Sequence, residues 1–302
     1  MRLKMIAPSC MSIKRLSFTD LIKHFMNLSI GGIIMFDFFQ YEFIQQAMII
    51  GIALAVSAAL LSPFLVLNQQ AMIADGLAHV SFAGIILGIL LSEEALFIAI
   101  PFVMLASLLI KYLSTTKTIN GDAAIGLVSA VSFAIGLILI KKGEGFSVSI
   151  ESMLVGNIFT ATQTEMWLSI IIMGLIGAFI LLSYRKLLLM TYDMDYARFS
   201  KINVQFYGYL LSGLTAIFIV VGVRTIGTLL ISAFVVFPSI ISSQLTKSFK
   251  NTLLLGLISS LFVVIVGIFI AHPLEIPVGS TIVILYAIIL LIVLTMKPLW
   301  RK

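Results

Sequence analysis

Charge is what this sequence has least of. Only 11% of its 302 residues are Asp, Glu, Lys or Arg, against about a quarter in a soluble domain. With 61% hydrophobic residues and a mean hydropathy of +1.17, a water-soluble fold is excluded and the chain reads as an integral membrane protein. Cysteine is nearly absent as well: Cys10 stands alone, which excludes a disulfide within the chain and any thiolate cage for a metal. No Gly-x-x-x-x-Gly-Lys-Ser/Thr loop occurs, so the chain cannot itself cradle nucleotide phosphates, and Gly143-Glu144-Gly145 is no substitute. A His-Glu-x-x-His helix is missing too, which removes an intramembrane metalloprotease. No stretch is left over for a soluble catalytic domain.

What remains is a series of apolar runs of about 18 to 24 residues, long enough to cross a bilayer as helices. They cover roughly residues 43–67, up to 91, 96–113, 123–140, 166–184, 204–223, 226–238, 252–270 and 280–296. The expected fold is all-α, a polytopic bundle of eight or nine transmembrane helices. Gly222, Arg224, Gly227 and Pro238 interrupt one region, which suits either a discontinuous helix lining a pathway or a tight turn between two ordinary helices. Residues 150–159 read as a short interfacial or re-entrant helix. The basic stretch at residues 1–34 reads as an N-terminal tail, an upstream-start extension of a transmembrane domain at 35–302.

The net charge of +6 and a pI near 9.4 express membrane topology rather than nucleic-acid binding. Beyond residue 34, every Lys and Arg except Lys141, Lys142 and Arg224 falls in the loops beginning at Lys111, Arg185 and Lys247 or at the C-terminus. Those segments, the C-terminus included, are therefore expected on the cytoplasmic side. Glu93, Glu94, Glu144, Glu151, Glu165 and Glu275 fall on the opposite side.

One apolar run carries chemistry. Asp75 and His79 are spaced i, i+4, so a helix sets a carboxylate and an imidazole on one face, a turn apart. An aspartate at a helix centre in hydrocarbon costs about 3 kcal/mol on insertion scales, so such groups face a partner or a water-filled path. A hydrogen-bonded pair packing two helices would satisfy them; so would an ion pathway, because carboxylate plus imidazole suits a borderline divalent metal. In a proton- or sodium-coupled secondary transporter the same pair would be a proton relay. The remaining histidines, His24 and His272, read as surface residues, and the 14 methionines as packing. Glu151 is a solvated carboxylate or a vestibule ligand.

Five segments, in order, resemble the membrane permeases of bacterial ABC-type zinc and manganese importers. Asp75-Gly76-Leu77-Ala78-His79 is similar to that family's Gly-Asp-Ala-Leu-Ser-His, with Ala74 in place of the glycine. Asp122-Ala123-Ala124-Ile125-Gly126, Leu154-Val155-Gly156-Asn157-Ile158, Val221-Gly222 through Pro238, and Pro277-Val278-Gly279-Ser280-Thr281-Ile282-Val283 follow its other motifs. Gln69-Gln70 departs from a pair of arginines common there. The resemblance implies a fold related to cobalamin-type importers and two permease copies around a central path. It also implies cytoplasmic ATPase subunits and an extracytoplasmic metal-binding protein. Asp75 and His79 would be the transient metal site, for zinc first and manganese second, with no tightly bound cofactor. The polar segment Ser239–Lys250, with Ser239, Leu245 and Phe249, would couple to the ATPase, and the Asp193–Arg198 loop would be second in line.

Overall fold

The computed structural model describes residues 41–92, 94–115, 119–142, 156–274 and 276–300. The chain divides into two compact units, Met1–Gln45 and Gln46–Lys302. The first is described only over residues 41–45, where the Tyr41 and Phe43 rings lie 5.7 Å apart. The tail at 1–34, Glu151 and most of the expected interfacial helix at 150–159 lie outside the described residues.

The described residues are helical throughout. The elements are α1 (Glu42–Leu67), α2 (Ile73–Leu91), α3 (Ala95–Thr115), α4 (Gly121–Lys142), a 3-10 turn (Ile158–Thr160), α5 (Gln163–Tyr192), α6 (Met194–Phe199), α7 (Val204–Ile226), α8 (Thr228–Leu245), α9 (Phe249–Ala271) and α10 (Val278–Trp300). Eight of them are long and apolar enough to cross a membrane, and Leu230–Leu245 of α8 is a shorter apolar helix. The all-α bundle expected from the apolar runs is therefore the observed fold.

Helix α2 sits at the centre, packed by α3, α4, α7 and α8. Small residues let its neighbours approach: Gly76 faces Ile125 of α4, Gly84 faces Ala99 and Phe102 of α3, and Gly88 lies on the Ala95 backbone. Seventy-two per cent of the α2 span is buried, against 22% for α5, which packs chiefly on α7 and α6. Hydroxyls stitch the layers where lipid supplies no partner: Ser107 and Ser212 join α3 to α7 through Oγ atoms 2.7 Å apart.

Two boundaries differ from the sequence expectation. Helix α5 does not stop at Tyr184 but runs to Tyr192, so the expected loop from Arg185 begins later. Arg185 and Lys186 end the apolar run without ending the helix, because both are good helix formers with stems that reach water. The helix stops at Asp193, whose side chain caps α6 by accepting the Tyr196 N–H at 2.9 Å. Likewise α8 continues through Pro238 to Leu245, leaving only Thr246–Ser248 before α9, so Ser239–Lys250 is not a polar loop. A proline removes one intrahelical donor, and here the polar groups nearby are satisfied locally. Ser239 N–H donates to Ser62 Oγ of α1 at 3.1 Å, and Ser242 Oγ–H donates to Pro238 O at 2.6 Å.

Between α7 and α8 the break is the single residue Gly227, at φ 90°, ψ 162°, a region that only glycine enters freely. Gly156, also at positive φ, lies directly on the Ile226–Gly227 backbone, where a Cβ would overlap it.

Candidate metal pathway

Asp75 lies in the first turn of α2 and His79 one turn later. In the enclosed N-terminal half of this helix they are an opening: their side chains are 52% and 37% exposed, while Ala74, Gly76, Leu77, Ala78 and Val80 are buried. His79 Nε2 and Asp75 Oδ2 are 3.9 Å apart, too far for a hydrogen bond and wide enough for an ion to sit between. The imidazole is held edge-on to Phe133 of α4, with ring centroids 5.2 Å apart, and Phe133 in turn meets Phe82 at 5.1 Å. His79 Nδ1 is buried without a hydrogen-bond partner. Nothing described ties the two side chains to a neighbouring helix by hydrogen bonds, as a structural bridge would require. Among the described residues no group of three or more His, Cys, Asp or Glu gathers to hold a metal. Within the described residues the pair amounts to two potential donors, half of a tetrahedral set.

The residues expected to face an ATPase are not together on a surface. Ser239 is 2% exposed inside α8, and Phe249, at the first position of α9, is 7% exposed. Leu245, the last residue of α8, is exposed at 49%. On α6, Met194, Tyr196 and Phe199 stand exposed together, and Arg198 pairs with Asp195 at 3.5 Å.

Two groupings were not foreseen. At the pole of the bundle that holds Gly227, Glu165 is buried and fully used: Oε1 meets Arg224 Nε at 3.0 Å, and Oε2 accepts the Thr162 N–H at 2.9 Å. Thr162 Oγ1 accepts the Glu165 N–H in return, completing a capping box on α5. The Thr-x-x-Glu spacing at 162–165 carried that signal; the pairing with Arg224 did not show. At the opposite pole, beside α6, Phe249 packs against Phe64 of α1 at 5.1 Å and against Tyr184 and Tyr192 of α5 at 6.1 and 6.0 Å. His272 lies against Phe159 at 5.6 Å.

Against known proteins, the family described as the ABC 3 transport family matches residues 40–297. The manganese import system permease protein ScaB of Streptococcus parasanguinis is 32% identical over 263 residues, 87% of this chain and 94% of that protein. The manganese transport system membrane protein MntC of Halalkalibacterium halodurans is 27% identical over 244 residues, 81% of this chain and 84% of that protein. Among solved structures, PsaBC from Streptococcus pneumoniae in complex with Fab superposes with a TM-score of 0.75 at 26% identity, covering 90% of this chain and 95% of that one.

Proposed function

Because this chain belongs to the ABC 3 transport family, we propose that it is the multi-pass permease of a bacterial ATP-driven importer, that its cargo is manganese, and that Asp75 and His79 hold the ion in transit. The observation that carries the reading is the open Asp75/His79 face in the N-terminal half of α2, where all other residues from Ile73 to Ile86 are buried. Carboxylate and imidazole accept zinc or manganese. The named relatives favour manganese over the zinc expected from sequence. They leave a proton- or sodium-coupled mechanism without support.

Two donors per chain make an incomplete site, and a second copy facing the first would bring the set to two carboxylates and two imidazoles. An ion held by such a shared set can be released when the copies shift, as conduction requires. The chain acts as a transport subunit, with ATP hydrolysed by cytoplasmic partner subunits and metal delivered by an extracytoplasmic binding protein. The basic loops support a cytoplasmic C-terminus and a cytoplasmic α6. There α6 is the surface for the ATPase, since its exposed Met194, Tyr196 and Phe199 suit a groove. Leu245 is exposed at the end of α8, and Ser239 and Phe249 act from inside the bundle.

The test is ATP-driven uptake of radioactive manganese by proteoliposomes holding the chain with its ATPase. Asp75→Ala and His79→Ala should each abolish uptake with normal insertion and assembly. Uptake at the unaltered rate in both variants would overturn the proposal.

A further inference from the structure

The aromatic cluster around Phe249 does not touch Asp75 or His79, yet it lies on a short covalent and packed route from α6 to them. Helix α5 passes directly into α6 at Asp193, which is the C-cap of one and the N-cap of the other. Any displacement of α6 therefore moves the last turn of α5, which carries Thr191 and Tyr192. Tyr192 and Tyr184 bear on Phe249, and Phe249 bears on Phe64, a fully buried residue in the last turn of α1. A second contact joins the same two helices: Asn68 Nδ2 donates to Phe64 O at 2.7 Å and reaches Thr191 Oγ1 at 3.4 Å. The latter is long for a hydrogen bond, so the rings carry most of the contact.

From Phe64 the path to the metal pair is a hydrogen-bonded turn rather than a slack linker. Gln70 N–H donates to Leu65 O at 2.8 Å and Gln69 N–H to Val66 O at 3.2 Å, with Gln69 at φ 59°. This is the paired closure of a helix end around a left-handed residue. Ile73 N–H then donates to Gln70 O at 3.1 Å, and Gly76 N–H to Met72 O at 3.1 Å, starting α2. These four bonds brace the turn between α1 and α2, so rotation or translation of the end of α1 is passed to the first turn of α2. That turn holds one of the two metal donors.

We infer that Phe249, with Phe64, Tyr192 and Asn68, forms the transmission contact by which movement of the ATPase-docking helix α6 shifts the Asp75/His79 pair against that of the second copy. Phe249 is thus a positioning residue that acts through α1, not an anchor in an ATPase groove. The inference rests on the reading of Asp75/His79 as the metal site and α6 as the docking helix. Its physical content is a coupling free energy: nucleotide state changes metal affinity, and the change travels through these rings.

The experiment uses the full complex with its ATPase in nanodiscs and Mn2+ as the probe, with bound and free ion distinguished by electron paramagnetic resonance. Manganese affinity is measured without nucleotide and with ATP plus vanadate. The unaltered complex should show a nucleotide-dependent change in affinity of about tenfold or more, within the usual range of such couplings. Phe249→Leu should keep the nucleotide-free affinity and ATPase binding but shrink the nucleotide effect to about twofold or less. Phe249→Tyr should restore it. Asn68→Ala paired with Thr191→Val provides a second route, with a smaller loss in the same direction. A full nucleotide effect in Phe249→Leu and in the Asn68/Thr191 pair overturns the inference while leaving the metal site standing. Absence of manganese binding that depends on Asp75 and His79 in the unaltered complex would instead overturn the proposed function beneath it.

Discussion

The two poles of the bundle are fastened in different ways. At the Gly227 pole the contacts are directional: a buried carboxylate shared between Arg224 and a helix cap, and backbone lying on backbone where Gly156 meets Ile226–Gly227. At the α6 pole the contacts around Phe249 are tilted and edge-on rings, with one long amide contact from Asn68 beside them. Charge pairs and close backbone contacts lose most of their energy over a small shift, whereas aromatic faces tolerate sliding through several geometries of similar energy. The difference fits the proposed roles, with the Gly227 pole as a fulcrum and the α6 pole as the place where movement starts. Asp75 lies one braced turn from the movable pole, which is where a gate driven by a partner ATPase needs to be.

The strongest way to break the fulcrum is Gly156→Ala. Its Cβ would overlap the Gly227 backbone, and its own φ of 64° disfavours a side chain; backbone shift and strain together should cost about 3 kcal/mol or more. Detergent-solubilised protein should lose its monodisperse elution and its thermal transition. An unchanged melting temperature would mean that the contact at this pole is not a fixed one. Glu165→Gln comes next. It leaves Arg224 without its counter-charge and weakens the α5 cap, and because Arg224 is 42% exposed the cost should be about 2 kcal/mol rather than the full price of a buried pair. Thermal unfolding of Glu165→Gln, of Arg224→Gln and of the double variant measures the coupling energy, and additivity of the single effects would contradict the pairing.

At the other pole the effects on stability should be smaller and those on function larger. Phe249→Leu keeps apolar bulk and should cost about 1 kcal/mol, detectable as a modest fall in unfolding temperature, while ATP turnover continues with reduced manganese transport per ATP. Should the stability loss match that of Glu165→Gln, the contrast between the poles would be wrong. Leu245→Asp should be smallest, within about 0.5 kcal/mol, since the side chain is already in the open; pull-down of the ATPase reads whether that position adds to α6.

How much of this was legible in the sequence follows from what ends a helix and what ends an apolar run. The bundle and its eight or nine helices were readable because hydropathy reports membrane crossing directly. The ends of α5 and α8 were not. Arg185 and Lys186 leave the hydrocarbon without breaking helical hydrogen bonds, and Pro238 is accommodated by hydroxyls from Ser62 and Ser242 that no local pattern predicts. Asp75 and His79 stood out because i, i+4 spacing is a local property. Their openness among the buried residues of the N-terminal half of α2 is tertiary and needed the structure. Phe249 misled for a related reason: an isolated aromatic in a polar stretch reads as an exposed anchor, whereas its partners, Phe64, Tyr184 and Tyr192, come from two distant helices.

The central claim is that each chain supplies half of a metal site through Asp75 and His79. Counting Mn2+ bound to the purified permease by electron paramagnetic resonance, with the oligomeric state fixed by light scattering, tests it most directly. The account predicts weak binding of one ion per two chains, lost in both Asp75→Ala and His79→Ala. One ion per chain, or binding that survives either substitution, would contradict it.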